Sequence, residues 1–157
     1  MFSHHNPERI LIVGGGDGGV LREVSRHAQV KEITIVEIDE VVIEACKHHL
    51  QLAPPDLFED PRVTIIHADA AKYVQDPSQE GTYDVIIADT LDPLGPAESL
   101  FEPEFYEAMH RALRPGGMIC TQGESFWIHL ELIRDLVGCC ATIFDFAEYY
   151  HYSPKLS

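Results

Sequence analysis

Short aliphatic runs recur along the chain, each followed by a stretch with helical spacing. Arg9–Val13 is almost wholly β-branched and aliphatic, as in a strand buried on both faces. Ile33–Glu37, Val63–His67, Tyr83–Ala88 and Met118–Gln122 read as four more strands. Helices are predicted over about Gly18–Ala28, Asp39–Gln51, Ala71–Val74, Glu102–Leu113 and Ser125–Cys140. In the second helix Val41, Val42, Ala45, Cys46 and Leu50 make the apolar side, and Asp39 is placed to cap it. Pro103 falls in the first turn of the fourth. Ile143–Tyr152, rich in Phe and Tyr, reads as a further strand. Ala53–Pro61, Asp76–Thr82, Asp89–Ser99 and Arg114–Gly117 hold prolines and glycines and read as loops or turns.

Alternating strand and helix predicts an α/β fold: a doubly wound, mostly parallel sheet with helices on both faces. With 157 residues, no internal repeat and no linker, the chain reads as a single domain over 1–157. The first strand runs into Gly14-Gly15-Gly16-Asp17-Gly18-Gly19 and then a helix. Glycines there let the backbone turn tightly and approach a ligand, and the helix aims its first N–H groups at the same place. The spacing Gly14-x-Gly16-x-x-Gly19 fits a dinucleotide turn, but Asp17 does not. A carboxylate inside the turn repels a pyrophosphate and attracts a cation, which argues against a nicotinamide dinucleotide.

Composition narrows the partners. A net charge of −15 argues against nucleic acid and anionic membrane as partners, since both need basic surface. The four cysteines form no Cys-x-x-Cys pair and read as reduced thiols of a cytoplasmic protein. The nine histidines lack metal-ligand spacing, so no metal is expected. No apolar run is long enough to span a membrane, and Met1–Glu8 lacks the form of a signal peptide.

In open α/β sheets, ligands sit outside the carboxyl ends of the strands. Four such ends carry an acid: Asp17, Glu37, Asp69 and Asp89, with Asp92 three residues further on. Glu37 lies about 20 residues past the glycine turn, where an acid takes ribose hydroxyls. Asp69 is placed to accept from an adenine amino group. Asp17 faces what lies beyond the sugar, and Asp89 and Asp92 bracket the far side. Crowded carboxylates raise one another's pKa unless a cation relieves them.

The segments Gly14-Gly-Gly-Asp-Gly-Gly-Val-Leu-Arg-Glu-Val24, Asp89-Thr-Leu-Asp-Pro-Leu-Gly-Pro-Ala-Glu-Ser-Leu100 and Thr121-Gln-Gly-Glu-Ser125 closely resemble the spermidine synthase family of polyamine aminopropyltransferases. The resemblance runs from about His4 to Phe144. It implies the class I methyltransferase-like (Rossmann-like) fold. It also implies transfer of the aminopropyl group of decarboxylated S-adenosylmethionine to putrescine, giving spermidine and methylthioadenosine. The nucleoside is then a co-substrate, and no separate cofactor is expected.

By resemblance, Gly14, Gly16 and Asp17 bind the co-substrate, with Asp17 on the amine of its aminopropyl arm. Glu37 holds the ribose, Asp69 and the Ala70 backbone hold the adenine, and Ile38 and Pro96 pack near the ring. Asp89 is the proton acceptor, and Asp92, Gln122 and Glu124 line the diamine side. Family members form homo-oligomers.

Three features depart from the family. Thr90 and Leu91 stand where two serines are usual. A β-rich module ahead of the nucleotide-binding domain and a segment with a final strand after it are not found between Met1 and Ser157. The chain is therefore expected to be a catalytic core, as a fragment or a truncated gene product, with the diamine half of the site only partly encoded. Two alternatives stay open: a non-catalytic remnant that binds nucleoside or a partner chain, and a small-molecule methyltransferase on the same fold.

Overall fold

A computed structural model describes residues 1, 3–50, 52–90, 100, 102–123, 125 and 127–150. The described chain falls into two compact units, Met1–Gln122 and Gly123–Ser157.

The first unit holds five strands: β1 (Arg9–Gly14), β2 (Glu32–Glu37), β3 (Val63–His67), β4 (Tyr83–Asp89) and β5 (Leu113–Thr121). They pair in the order β3-β2-β1-β4-β5, every pair parallel. The chain leaves β1 toward β2 on one side and returns to β4 on the other. The switch point, where a crevice opens, is therefore the end of β1.

Four helices connect the strands: α1 (Gly19–Ser25), α2 (Glu40–Ala45), α3 (Ala70–Gln75) and α4 (Pro103–Ala112). Side chains of a strand alternate between faces. Ile10, Ile12, Ile33 and Ile35 pack with Leu21 and Val24 of α1 and with Phe58. Leu11, Val13 and Ile86 are as deeply buried on the opposite face, where α3 and α4 lie together. Phe105, Tyr106, Ala108, Met109 and Ala112 of α4 are buried at helical spacing. Asp84 anchors the sheet end away from the crevice. Its Oδ2 accepts from the N–H of Glu8 (2.9 Å) and Arg9 (2.8 Å), and Arg114 pairs with it at 3.2 Å.

β1 to β4, α3 and α4 lie close to the expected positions; other elements differ, for local reasons. The first helix stops at Ser25 instead of Ala28, where the N–H of His27 bonds back only three residues, to the Val24 carbonyl. Asp39 does cap α2, its carboxylate accepting from Val41 N at 2.9 Å, but the helix is regular only to Ala45. It widens to a π-helical turn over Cys46–Leu50. Its buried positions are Ile43 and Cys46, while Val41 and Leu50 are exposed, so the expected apolar side is rotated. The segment read as a loop at Ala53–Pro61 contains a 3₁₀ turn, Pro55–Glu59, that buries Phe58.

The turn expected at Arg114–Gly117 is a bulge inside β5. Tyr83 pairs with Leu113 and Val85 with Met118, so four residues of β5 loop out there. Gly116 in that bulge has φ +81°, which glycine adopts without strain.

In the second unit, α5 (Leu130–Ile143) starts five residues later than expected and runs three residues further. Its buried residues, Ile133 and Cys140, are two turns apart on one face. The strand expected at Ile143–Tyr152 is not formed over its described part, since Ile143 closes α5 and 144–150 carry no strand. Aromatic β-propensity needs a hydrogen-bonded neighbouring strand to become a strand, and the sheet β3-β2-β1-β4-β5 does not include this segment. No helix among the described residues is long and apolar enough to cross a membrane.

Candidate functional site

The crevice at the switch point is a cleft of about 470 Å³ lined by the carboxyl ends of all five strands. β1 contributes Val13 to Asp17, β2 Val36 to Ile38, the turn after β3 Ala68 to Ala70, β4 Asp89 and Thr90, and β5 Gln122. Nine residues singled out in the sequence therefore meet in one place: Gly14, Gly16, Asp17, Glu37, Ile38, Asp69, Ala70, Asp89 and Gln122. Asp92, Pro96 and Glu124 lie outside the described residues.

The glycine turn is shaped by close approach. Gly14 and Gly15 have φ of +73° and +67°. Gly14 is paired with Asp89 at the last rung of β1 and β4, and a Cβ on Gly14 would run into the Asp89 carbonyl. Gly16 is open to the side chain of Glu37, whose Oε2 would lie 2.9 Å from a Cβ there. The spacing of the dinucleotide motif thus picks out Gly14 and Gly16 for different reasons. Gly18 (φ +81°) lets the turn pass over Phe58 and Ala53.

Each acid is held by the backbone around it. Asp17 Oδ1 accepts from Gly19 N at 2.8 Å, which closes the turn ahead of α1. Glu37 accepts from Gly16 N at 3.3 Å through Oε2 and from Asp39 N at 3.1 Å through Oε1. The two bonds fix its carboxylate against the glycine turn and leave each oxygen a lone pair for a further donor. Asp69 caps α3: Oδ1 accepts from Ala71 N at 3.0 Å, and Oδ2 pairs with the exposed Lys72 at 3.3 Å. Helix capping is therefore part of what this residue does. Asp89 Oδ1 accepts from Gln122 Nε2 at 2.9 Å.

Asp17, Glu37 and Asp89 have no ion-pair partner among the described residues. Burial pushes the Asp89 carboxyl above the usual range, and the charges of Asp17 and Glu37 add to the rise. Cys46, behind the cleft wall, is also raised, first by burial and then by the same two acids. The cleft presents an unbalanced negative field that a cation would relieve.

Seven lining residues have no site role in the sequence reading: Val13, Gly15, Val36, Val42, Ala68, Thr90 and Leu100. Gly15 was part of the glycine run but outside the motif spacing. Val42 was assigned to a buried helix side, and the rotation of α2 turns it to the cleft. Leu100 closes the Asp89–Leu100 segment that carries the family resemblance, which gives it no role of its own.

Comparison with known proteins gives a consistent picture. A family model described as "Spermine/spermidine synthase domain" matches residues 1–156. Spermidine synthase 2 of Arabidopsis thaliana is 48% identical over 144 residues, covering 92% of this chain and 42% of that protein. Spermidine synthase 1 of Pisum sativum is 49% identical over 142 residues, covering 88% of this chain and 41% of that protein. A crystal structure of a spermidine synthase in complex with the transition-state analogue AdoDATO superposes with a TM-score of 0.85 at 36% identity, over 92% of this chain and 49% of that one. The spermidine synthase from Thermotoga maritima gives 0.82 at 36% identity, over 92% and 48%. The chain spans about two fifths of the length of these curated relatives and about half that of the solved chains. The fold is the class I methyltransferase-like form of the doubly wound sheet, and from the family match over 1–156 the chain belongs to the spermine/spermidine synthases.

Proposed function

We propose that residues 1–157 act as one catalytic core domain that transfers the aminopropyl group of decarboxylated S-adenosylmethionine to putrescine, giving spermidine and methylthioadenosine. The observation that carries this reading is the trio Asp17, Glu37 and Asp89, three carboxylates on one cleft without a countercharge among the described residues. A nucleoside with a cationic sulfonium, a cationic amine arm and a cationic acceptor fits that field. A nucleotide phosphate does not.

In this reading Glu37 receives the ribose hydroxyls and Ile38 packs by the adenine, with Pro96. The Asp69 carboxylate exchanges Lys72 for the adenine amino group beside the Ala70 backbone. Asp17 binds the ammonium of the aminopropyl arm. Ordinary S-adenosylmethionine carries a carboxylate on that arm, which Asp17 repels. Putrescine enters from the side of Gln122.

An amine of pKa ~10.4 arrives protonated and cannot attack in that form. Asp89 takes the proton, the freed lone pair forms the N–C bond, and the C–S electron pair leaves to sulfur as a neutral thioether. Sulfonium is a good leaving group, so no acid is required. Holding the two substrates in line supplies much of the remaining rate. Cysteine usage supports a reducing, cytoplasmic setting, the acidic charge argues against nucleic acid, and the family supports a homo-oligomer.

Glu37 tests the nucleoside half. Losing a hydrogen bond to a charged group costs ~1.5–3 kcal/mol, so Glu37→Ala should weaken methylthioadenosine binding roughly ten- to a hundredfold by calorimetry. Equal affinity in the two proteins would place the ribose elsewhere.

A further inference from the structure

Asp89 has two oxygens, and the fold treats them differently. Oδ1 accepts from Gln122 Nε2 at 2.9 Å, across from the end of β5. Oδ2 lies over the glycine turn, where a Cβ built on Gly15 would stand 3.6 Å from it. The main chain sets both partners. Gly15 N donates to the Asp89 carbonyl at 3.2 Å, and Gln122 N donates to the Ala88 carbonyl at 3.3 Å. β4 and β5 are thus joined next to the Asp89 side chain by a main-chain bond and a side-chain bond one residue apart.

From this geometry we infer that Gln122 is a positioning residue for Asp89: its amide holds Oδ1 and leaves Oδ2, on the nucleoside side of the cleft, as the oxygen that accepts the proton. The inference rests on the reading of Asp89 as proton acceptor. It gives Gln122 a task on the carboxylate itself, distinct from lining the diamine path.

The chemistry favours a primary amide here. An amide N–H bonded to a carboxylate stabilises its charged form without adding charge. It also removes rotation about the Asp89 side-chain torsions, so a single oxygen faces the reacting amine. A lysine would neutralise the field that draws the cationic acceptor, and a second carboxylate would repel Asp89. Among the described residues, the charged groups that face Asp89 are Asp17, from the glycine turn after β1, and Glu37, from the end of β2. Both oppose ionisation, so Gln122 works against them.

Three variants of the full chain separate this role from packing. Gln122→Met keeps the length and loses the donor, Gln122→Ala loses both, and Gln122→Glu replaces the donor with a charge. The first readout is the carboxyl ¹³C titration of Asp89 by NMR, which needs no turnover. Its midpoint should move to higher pH in Gln122→Met and Gln122→Ala, and further in Gln122→Glu. The second readout is spermidine formation. Turnover should fall by on the order of tenfold in Gln122→Met, the size of one lost hydrogen bond to a charged group, with the acid limb of kcat/KM moving with the titration and methylthioadenosine affinity unchanged.

A Gln122→Met protein with the parental Asp89 midpoint and parental turnover would overturn the assignment. So would a loss confined to KM for putrescine, which would make Gln122 a substrate contact only. A parent chain that forms no product while the midpoint still shifts would overturn the aminopropyl-transfer reading and the proton-acceptor half of this proposal, and would leave the Gln122 tie standing.

Discussion

Asp89→Asn is expected to lower spermidine formation by roughly 10²–10⁴-fold, the range for loss of a positioned general base, while methylthioadenosine still binds. Asparagine keeps the shape of the side chain. The Asp89 carbonyl that takes Gly15 N is main chain and survives the exchange. What is lost is the acceptor for the amine proton, and an amide does not replace it at neutral pH. Assay of turnover alongside calorimetric binding separates the two effects. Near-parental turnover would remove Asp89 from the role of base.

The same carboxylate sets a pH dependence. Burial, and then Asp17 and Glu37, raise its pKa above the ordinary carboxylate range. As the proposed base it has to be ionised, so the rate should rise with pH through that raised value and fall below it. A bound nucleoside brings a sulfonium and an ammonium next to Asp17 and Asp89, which favours the ionised form. The acid limb of kcat, which reports the bound enzyme, should therefore lie at lower pH than that of kcat/KM, which reports the free enzyme.

The second large effect is on stability. Gly14→Ala should cost about 3–5 kcal/mol, the range of severe single substitutions. Two causes combine. The residue sits at φ +73°, which an L-residue with a Cβ adopts at a cost of ~1–2 kcal/mol. The Cβ also meets the backbone carbonyl of Asp89 on the paired strand, and a backbone atom between two central strands moves only if the strands separate. Gly81→Ala is the control: its φ is +59°, yet nothing lies within 4 Å of a Cβ there, so it should lose only the conformational part. Urea denaturation of both variants measures the difference. Equal losses would mean that close approach at Gly14 contributes nothing.

Much of the site was legible because its carboxylates come at the ends of strands, and strands are what aliphatic runs reveal best. Glu37 follows Ile33–Val36, and Asp89 follows Val85–Ala88, so finding the run places the acid. The order of the sheet then brings those ends together, which alternation with helices already implied. What the sequence withheld were details settled by tertiary packing. α2 exposes Val41, turns Val42 to the cleft and buries Ile43, and after Ala45 it widens into a π-helical turn. No local pattern announced that turn. In the bulge of β5, Arg114 reaches Asp84, thirty positions away in the chain. Asp69 reads in the sequence as an adenine contact, and only the fold engages its Oδ1 as the cap of α3. The Gln122–Asp89 bond joins residues 33 apart that no spacing rule connects.

The most direct test of aminopropyl transfer is a product analysis of the full chain with decarboxylated S-adenosylmethionine and putrescine, read by mass spectrometry, with ordinary S-adenosylmethionine in a parallel reaction. The account predicts spermidine and methylthioadenosine in equal amounts from the first mixture and no methylated product from the second. Methylthioadenosine binding without any spermidine, or a methylated amine from ordinary S-adenosylmethionine, would contradict it.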